Sequence, residues 1–209
     1  MPVARAVLAG VTGIDAAGKG YLAGGIADTL GWYGLNVALV NVDGWLNLPS
    51  VRFSRDDPAE HFYRHALRLD EMFDQLVLPL RDRRSHLVTV DVAEETATAF
   101  RPRTYAFEDV DVIVLEGIYL LKRAYQHHYD VSFWVDCSFE TALRRALARG
   151  QEGRPPEETL RAYETIYFPA QRIHFERDDP RSAASLVIPN DGGPRNGPPI
   201  PPSLGSAPA

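Results

Sequence analysis

The chain has 209 residues, 45% of them apolar and 24% charged, with a formal net charge of −6. That length suits one globular domain with a tail, or at most two small ones, and the acidic balance argues against a surface that coats nucleic acid. One cysteine, Cys137, excludes an internal disulfide framework, and no apolar run approaches the roughly 18 residues that span a bilayer.

In chain order, ARAVLAG reads as a first strand, and glycines lead from it into a helical pattern from Tyr21 to about Trp32. NVALVNVDGW is a second apolar run that ends on an acid, Asp43. DDPAEHFYRHALRLDEMFDQLVLPL has helical spacing, with Pro58 near its start, where a missing N–H costs nothing. HLVTVDV is a third strand, and the span from Ala93 to Phe107 reads as a hairpin or a mobile loop. DVDVIVLEGIYLL is a buried fourth strand closing on Glu116, and YDVSFWVDCS a fifth, with Cys137 as a small core residue at its end. A helix from about Phe139 to Arg149, the interruption RGQEGRPPEE, a helix from about Pro156 to Phe175 and ASLVIPN complete the pattern. Strands that alternate with helices and are apolar along their length predict an α/β fold, a parallel sheet covered on both faces. The domain is expected over residues 1–190, and 191–209, mostly Gly, Pro and Ser, is expected to be a disordered tail. The N-terminal apolar run, broken by Gly10 and Gly13, is a poor signal peptide, so the expected location is cytoplasmic.

Gly13-Ile-Asp-Ala-Ala-Gly18-Lys19 has the spacing G-x-x-x-x-G-K. Glycines let the backbone curl with its N–H groups inward and approach phosphate oxygens, the lysine adds positive charge, and the following helix aims its positive end at the anion. The flanks supply the strand, loop and helix that this motif needs; the competing reading is a glycine-rich turn without a ligand. Lys19 and Lys122 are the only lysines in an arginine-rich chain. Gly20 stands where a serine or threonine hydroxyl usually meets Mg²⁺. Either the metal is held by water, phosphates and acids elsewhere, or turnover is lost. Adenylate kinases share this G-K-G arrangement and are active.

In an open parallel sheet, ligands bind outside the carboxyl ends of the strands. Asp43 and Glu116 end strands there, as a proton acceptor for an attacking hydroxyl and a metal ligand respectively, or as helix caps. Arg144, Arg145, Arg149 and Arg154 flank a segment of about 144–156 that reads as a lid over phosphates, or as a solvated helix face. His61 and His65, four apart without a Glu-x-x-His context, read as surface or packing residues.

With these pieces in place, the chain resembles the uridine kinase and phosphoribulokinase family of P-loop kinases from about Ala4 to Asn190. The resemblance rests on the phosphate loop, VDGW after the second strand, RDDP, VIVLEGI, YDVSFWVD, the arginine lid, ETLRAY…FPAQ and ASLVIPN. It implies Lys19 on the β/γ-phosphates, Asp43 as catalytic base, Asp56 on substrate hydroxyls, Glu116 serving the metal, and Arg145, Arg149 and Arg154 in a lid one residue shorter than the family's. ATP is then expected on Gly13, Asp15, Ala16, Ala17, Gly18, Lys19, Gly20 and Tyr21 with Arg145 and Arg149. The acceptor is expected at Asp43, Asp56 and Arg154, and Mg²⁺ at Glu116 and Asp43, partly through water.

Uridine kinases carry a Tyr-Asp-Phe and a nearby histidine after the third strand. Val90 to Thr98 reads VDVAEETAT, with neither, and Ala162 stands where the family has a glutamine. The resemblance therefore implies an ATP-dependent kinase for a hydroxyl of a nucleoside, sugar or related alcohol, without implying uridine. A nucleoside monophosphate kinase is the second reading, from G-K-G and Asp15, with Arg52, Arg55, Arg101 and Arg103 for the acceptor phosphate. A nucleotide-binding sensor without catalysis is the third. The partners are the nucleotide and a small-molecule acceptor, with no nucleic acid and no membrane; homo-oligomerisation stays open.

Overall fold

A computed structural model describes residues 5–150 and 155–192. Its centre is a five-stranded, all-parallel sheet in the order β2-β5-β1-β6-β7. These strands are β1 (Val7–Gly13), β2 (Val37–Asn41), β5 (Val112–Gly117), β6 (Val131–Asp136) and β7 (Leu186–Pro189). β5 is buried at every position, as a central strand covered on both faces must be. The flanking helices are α1 (Lys19–Trp32), α2 (Pro49–Arg52), α3 (Pro58–His65), α4 (Leu69–Met72), α5 (Leu78–Arg83), α6 (Phe139–Arg149), α7 (Pro156–Ala162), α8 (Phe168–Asp178) and α9 (Pro180–Ala183). No described helix is long and apolar enough to cross a membrane.

Three local expectations change. The third strand does not join the parallel sheet: β3 (His86–Val92) pairs antiparallel with β4 (Arg101–Phe107) as a separate ribbon. Its sequence alternates rather than running apolar, and only Val90 of β3 is fully buried, so it suits a sheet with one open face. The long helical pattern after Asp56 breaks at residues 66–68, because the chain there pins the loop that follows Asp43. Leu67 bridges Leu46, Arg68 N donates to Trp45 O at 2.9 Å, and Asn47 N to Ala66 O at 3.0 Å. Beyond that break, a π-helical turn at Phe73–Val77 joins α4 to α5, and another at Tyr163–Tyr167 joins α7 to α8. Each turn lies just ahead of a proline in the second position of the next helix, Pro79 and Pro169. The wider turn absorbs the missing N–H and the ring's clash with the preceding carbonyl.

At the C-terminal end, order extends past Asn190. The Asp191 carboxylate accepts bonds from Ser138 N and Ser138 Oγ, both at 2.7 Å, at the N-cap of α6. Residues 193–209 of the expected tail lie outside the described residues, as does the middle of the expected lid. Cys137 packs half-buried against the edge of the core.

Candidate active site

β1 ends at Gly13, and the loop that follows it enters α1 at Lys19. Gly18 has φ +96°, and a Cβ there would stand 2.6 Å from Asn190 Nδ2. Only glycine fits that backbone and that proximity without strain. Asn190 Nδ2 in turn donates to Ala17 O at 2.7 Å, while Asn190 O accepts from Arg145 Nη2 at 2.8 Å. The curl is thereby tied to the end of β7. Lys19 is 7% exposed, and its Nζ donates to Ile14 O at 3.0 Å across the loop. The Tyr163 hydroxyl donates to Asp15 Oδ2, which fixes the loop's one acid to the π turn.

The two strand-end acids meet through one asparagine. Asn41 and Glu116 are register partners on β2 and β5. Asn41 Nδ2 donates to Glu116 Oε2 at 2.7 Å, and Asn41 Oδ1 accepts from Asp43 N at 2.6 Å. Asp43 sits in a 3₁₀ turn, Val42–Gly44, directly after β2. Burial raises the Asp43 carboxyl above its ordinary value, Lys19 pulls it down and Asp15 adds to the rise. The Asp43 residue nevertheless opens onto the cavity. Burial likewise raises Glu116, against Lys19 and together with Asp43. Desolvation outweighs a nearby ammonium at both carboxyls.

These groups line one cavity of about 920 Å³. Of the expected nucleotide residues, Asp15, Ala16, Gly18, Lys19, Gly20, Tyr21 and Arg149 line it, and so do Asp43 and Glu116. Gly13 and Ala17 form the curl behind them. Arg145 is turned to the back of the loop, reaching Ala17 O at 3.3 Å and Cys137 Sγ at 3.5 Å as well as Asn190 O. In this conformation it buttresses the curl instead of covering it. Asp56 is exposed in the turn before α3, away from the cavity lining, with its N–H donating to Ser54 Oγ at 3.1 Å. Arg154 lies outside the described residues.

Other residues of the site carried no signal in the sequence. Asn41 and Asn190 act through partners 75 and 173 residues away, and Gln171 arrives from α8. Of the arginines that the monophosphate-kinase reading names for an acceptor phosphate, Arg52, Arg101 and Arg103 line the same cavity and Arg55 does not. Among the described residues no group of three or more His, Cys, Asp or Glu forms a metal site. Two carboxylates beside a phosphate loop suit Mg²⁺, which typically takes one or two carboxylates and completes its shell with water and substrate phosphates. A Cβ on Gly20 would meet only Glu116 Oε2, at 4.0 Å, so the position of the missing hydroxyl faces that carboxylate across open space. The donor set fits the ion.

No protein-family model matches the chain. It is 28% identical over 194 residues to a uridine kinase of Staphylococcus haemolyticus, covering 91% of this chain and 90% of that protein. The structure of a possible uridine kinase from Bacillus stearothermophilus superposes with a TM-score of 0.69 at 19% identity, over 90% of this chain and 91% of that one. The chain resembles the uridine kinase and phosphoribulokinase group of P-loop kinases. Phosphoribulokinase from Rhodobacter spheroides shares the fold at a TM-score of 0.62 and 11% identity, over 89% of this chain and 70% of that one. The likeness thus covers about nine-tenths of the chain. Within it, the residues from Val90 to Thr98, part of which form the cavity's hairpin wall, hold no aromatic ring and no histidine.

Proposed function

We propose that the chain is an ATP-dependent kinase that transfers the γ-phosphoryl group to a hydroxyl of a nucleoside, sugar or related alcohol. The observation that carries this reading is the continuity of the cavity: Lys19, Asp43 and Glu116 share it with a wall of acceptor-sized groups on the hairpin, α3 and α8. ATP phosphates occupy the loop from Asp15 to Gly20, with Lys19 leaving Ile14 O to meet their charge. Asp43 takes the proton of the acceptor hydroxyl as its oxygen bonds to the γ-phosphorus. The bond to the β–γ bridging oxygen breaks, and ADP leaves with that electron pair. Asn41 holds both acids in place during the step. Mg²⁺, bound by Glu116 and Asp43 with water and phosphate oxygens, would neutralise phosphate charge. Positioning and charge stabilisation carry most of such a rate, so a loop without the usual hydroxyl retains its main devices.

The cavity arginines Arg52, Arg101 and Arg103 favour a monophosphate acceptor as the second reading. Production of ADP from Mg-ATP, screened against nucleosides, sugars, small alcohols and nucleoside monophosphates, tests the choice. Turnover with a hydroxyl compound is expected. Turnover with monophosphates alone supports the second reading, and ATP binding without turnover across the panel supports a sensor.

A further inference from the structure

Part of the cavity lining offers guanidinium groups that a neutral alcohol would not call on. It carries Arg52, Arg101 and Arg103 against two carboxylates, Glu94 and Glu95. Glu94 is committed to Arg101, at 2.6 Å. Arg52 is 3% exposed and donates to the Glu95 backbone oxygen. Arg103, on β4, has neither a hydrogen bond nor a carboxylate partner among the described residues; its guanidinium lies over the Tyr105 ring, 4.8 Å from the centroid. Its Nη1 stands 4.0 Å from where a Cβ on Gly44 would be, which is beside the residue that follows Asp43. Gln171 adds an independent signal. It is 2% exposed, lines the same cavity, and its Oε1 has no partner among the described residues. A buried amide oxygen left without a donor is costly, so a ligand hydroxyl is its natural partner.

Resting on the kinase reading above, we propose that the acceptor is a hydroxylated anion whose phosphate or carboxylate docks on Arg103 beside Arg52. Its reacting hydroxyl then lies at Asp43 and another hydroxyl at Gln171. A guanidinium fork presents paired N–H groups to either anion. Arg52 also contributes charge at Asp43 and opposes the rise caused by burial, which places it within electrostatic reach of the reacting end.

The test is calorimetric titration of the full chain with the phosphate loop saturated by Mg²⁺ and a non-hydrolysable ATP analogue, so that anions cannot enter the loop. The probes are ribose, its terminal phosphate ester and ribonate. The expected result is that one anionic probe binds at least about tenfold tighter than ribose, the size of a charged hydrogen bond, and the tighter of the two names the anion. Arg103→Gln, at an exposed position, should remove that preference and leave the affinity for the ATP analogue unchanged. Gln171→Leu should weaken all three probes alike. Equal binding of ribose and both anions, no binding of either anion, or a preference that survives Arg103→Gln overturns the proposal. Failure of the ATP analogue to bind would instead remove the kinase reading itself, and turnover of neutral acceptors alone would leave that reading and remove only this one.

Discussion

Gly20→Ser restores the hydroxyl that the phosphate loop lacks, and its consequences follow from the space around that position. Gly20 is the second residue of α1, and an added Cβ meets no atom closer than Glu116 Oε2 at 4.0 Å. The side chain therefore enters without a clash. In a helix, serine is favoured over glycine by roughly 0.5 kcal/mol, which for a domain of this size raises Tm by about 1–2 °C. The hydroxyl also adds one oxygen on the side of the loop that faces Glu116. If that is where the metal sits, the gain is about that of one hydrogen bond, about 1 kcal/mol, or roughly a fivefold lower Mg²⁺ requirement for nucleotide binding. Titration of a non-hydrolysable ATP analogue at stepped Mg²⁺ concentrations reads the second effect, and scanning calorimetry the first. A raised Tm with an unchanged Mg²⁺ requirement would refute the assignment of Glu116 to the metal. A lowered Tm would refute the open space at Gly20.

Asp43→Asn should keep nucleotide affinity and lower turnover by about 10²–10⁴-fold, the usual worth of a positioned base. In the unmodified chain, kcat/KM should rise with pH through a group above the ordinary aspartate value, because burial raises Asp43 and only its ionised form accepts the proton; the variant should lack that limb. Asn190→Ala removes the 2.7 Å bond to Ala17 O and should weaken ATP binding by about five- to tenfold, near the worth of one hydrogen bond, as read by calorimetry. At Asp178, burial pushes the carboxyl up, but bonds from His174, Tyr63 and the Arg123 N–H outweigh it and hold it at about 2. The folded value lies below the ordinary 3.8. The stabilisation, about 2 kcal/mol, is therefore complete above about pH 4 and lost as pH falls towards 2; urea unfolding across that window checks it, and Asp178→Asn should flatten the slope.

The parts of the site that were readable in advance are contiguous in the chain. The loop from Gly13 to Lys19 announces itself because one local backbone shape needs those residues side by side, and Asp43 and Glu116 because each ends an apolar run at a known edge of the sheet. The hairpin was readable as strand but not as a separate ribbon, since alternation gives a period and not a partner. Arg145 was assigned to a lid by its neighbours in sequence, whereas its direction is set by Asn190 O, 45 residues later. Asn41 and Gln171 were silent for a related reason: a single polar residue shows its role only when the fold brings its partner or its cavity to it.

The central claim, phosphoryl transfer to an acceptor hydroxyl at Asp43, is tested most directly by phosphorus NMR of the chain with Mg-ATP and the acceptor that gives the highest ADP yield. A new phosphomonoester resonance, growing in step with ADP and absent with Lys19→Ala and Asp43→Asn, is the expected result. ADP accompanied only by inorganic phosphate, or by a new diphosphate on a nucleoside monophosphate, would contradict it.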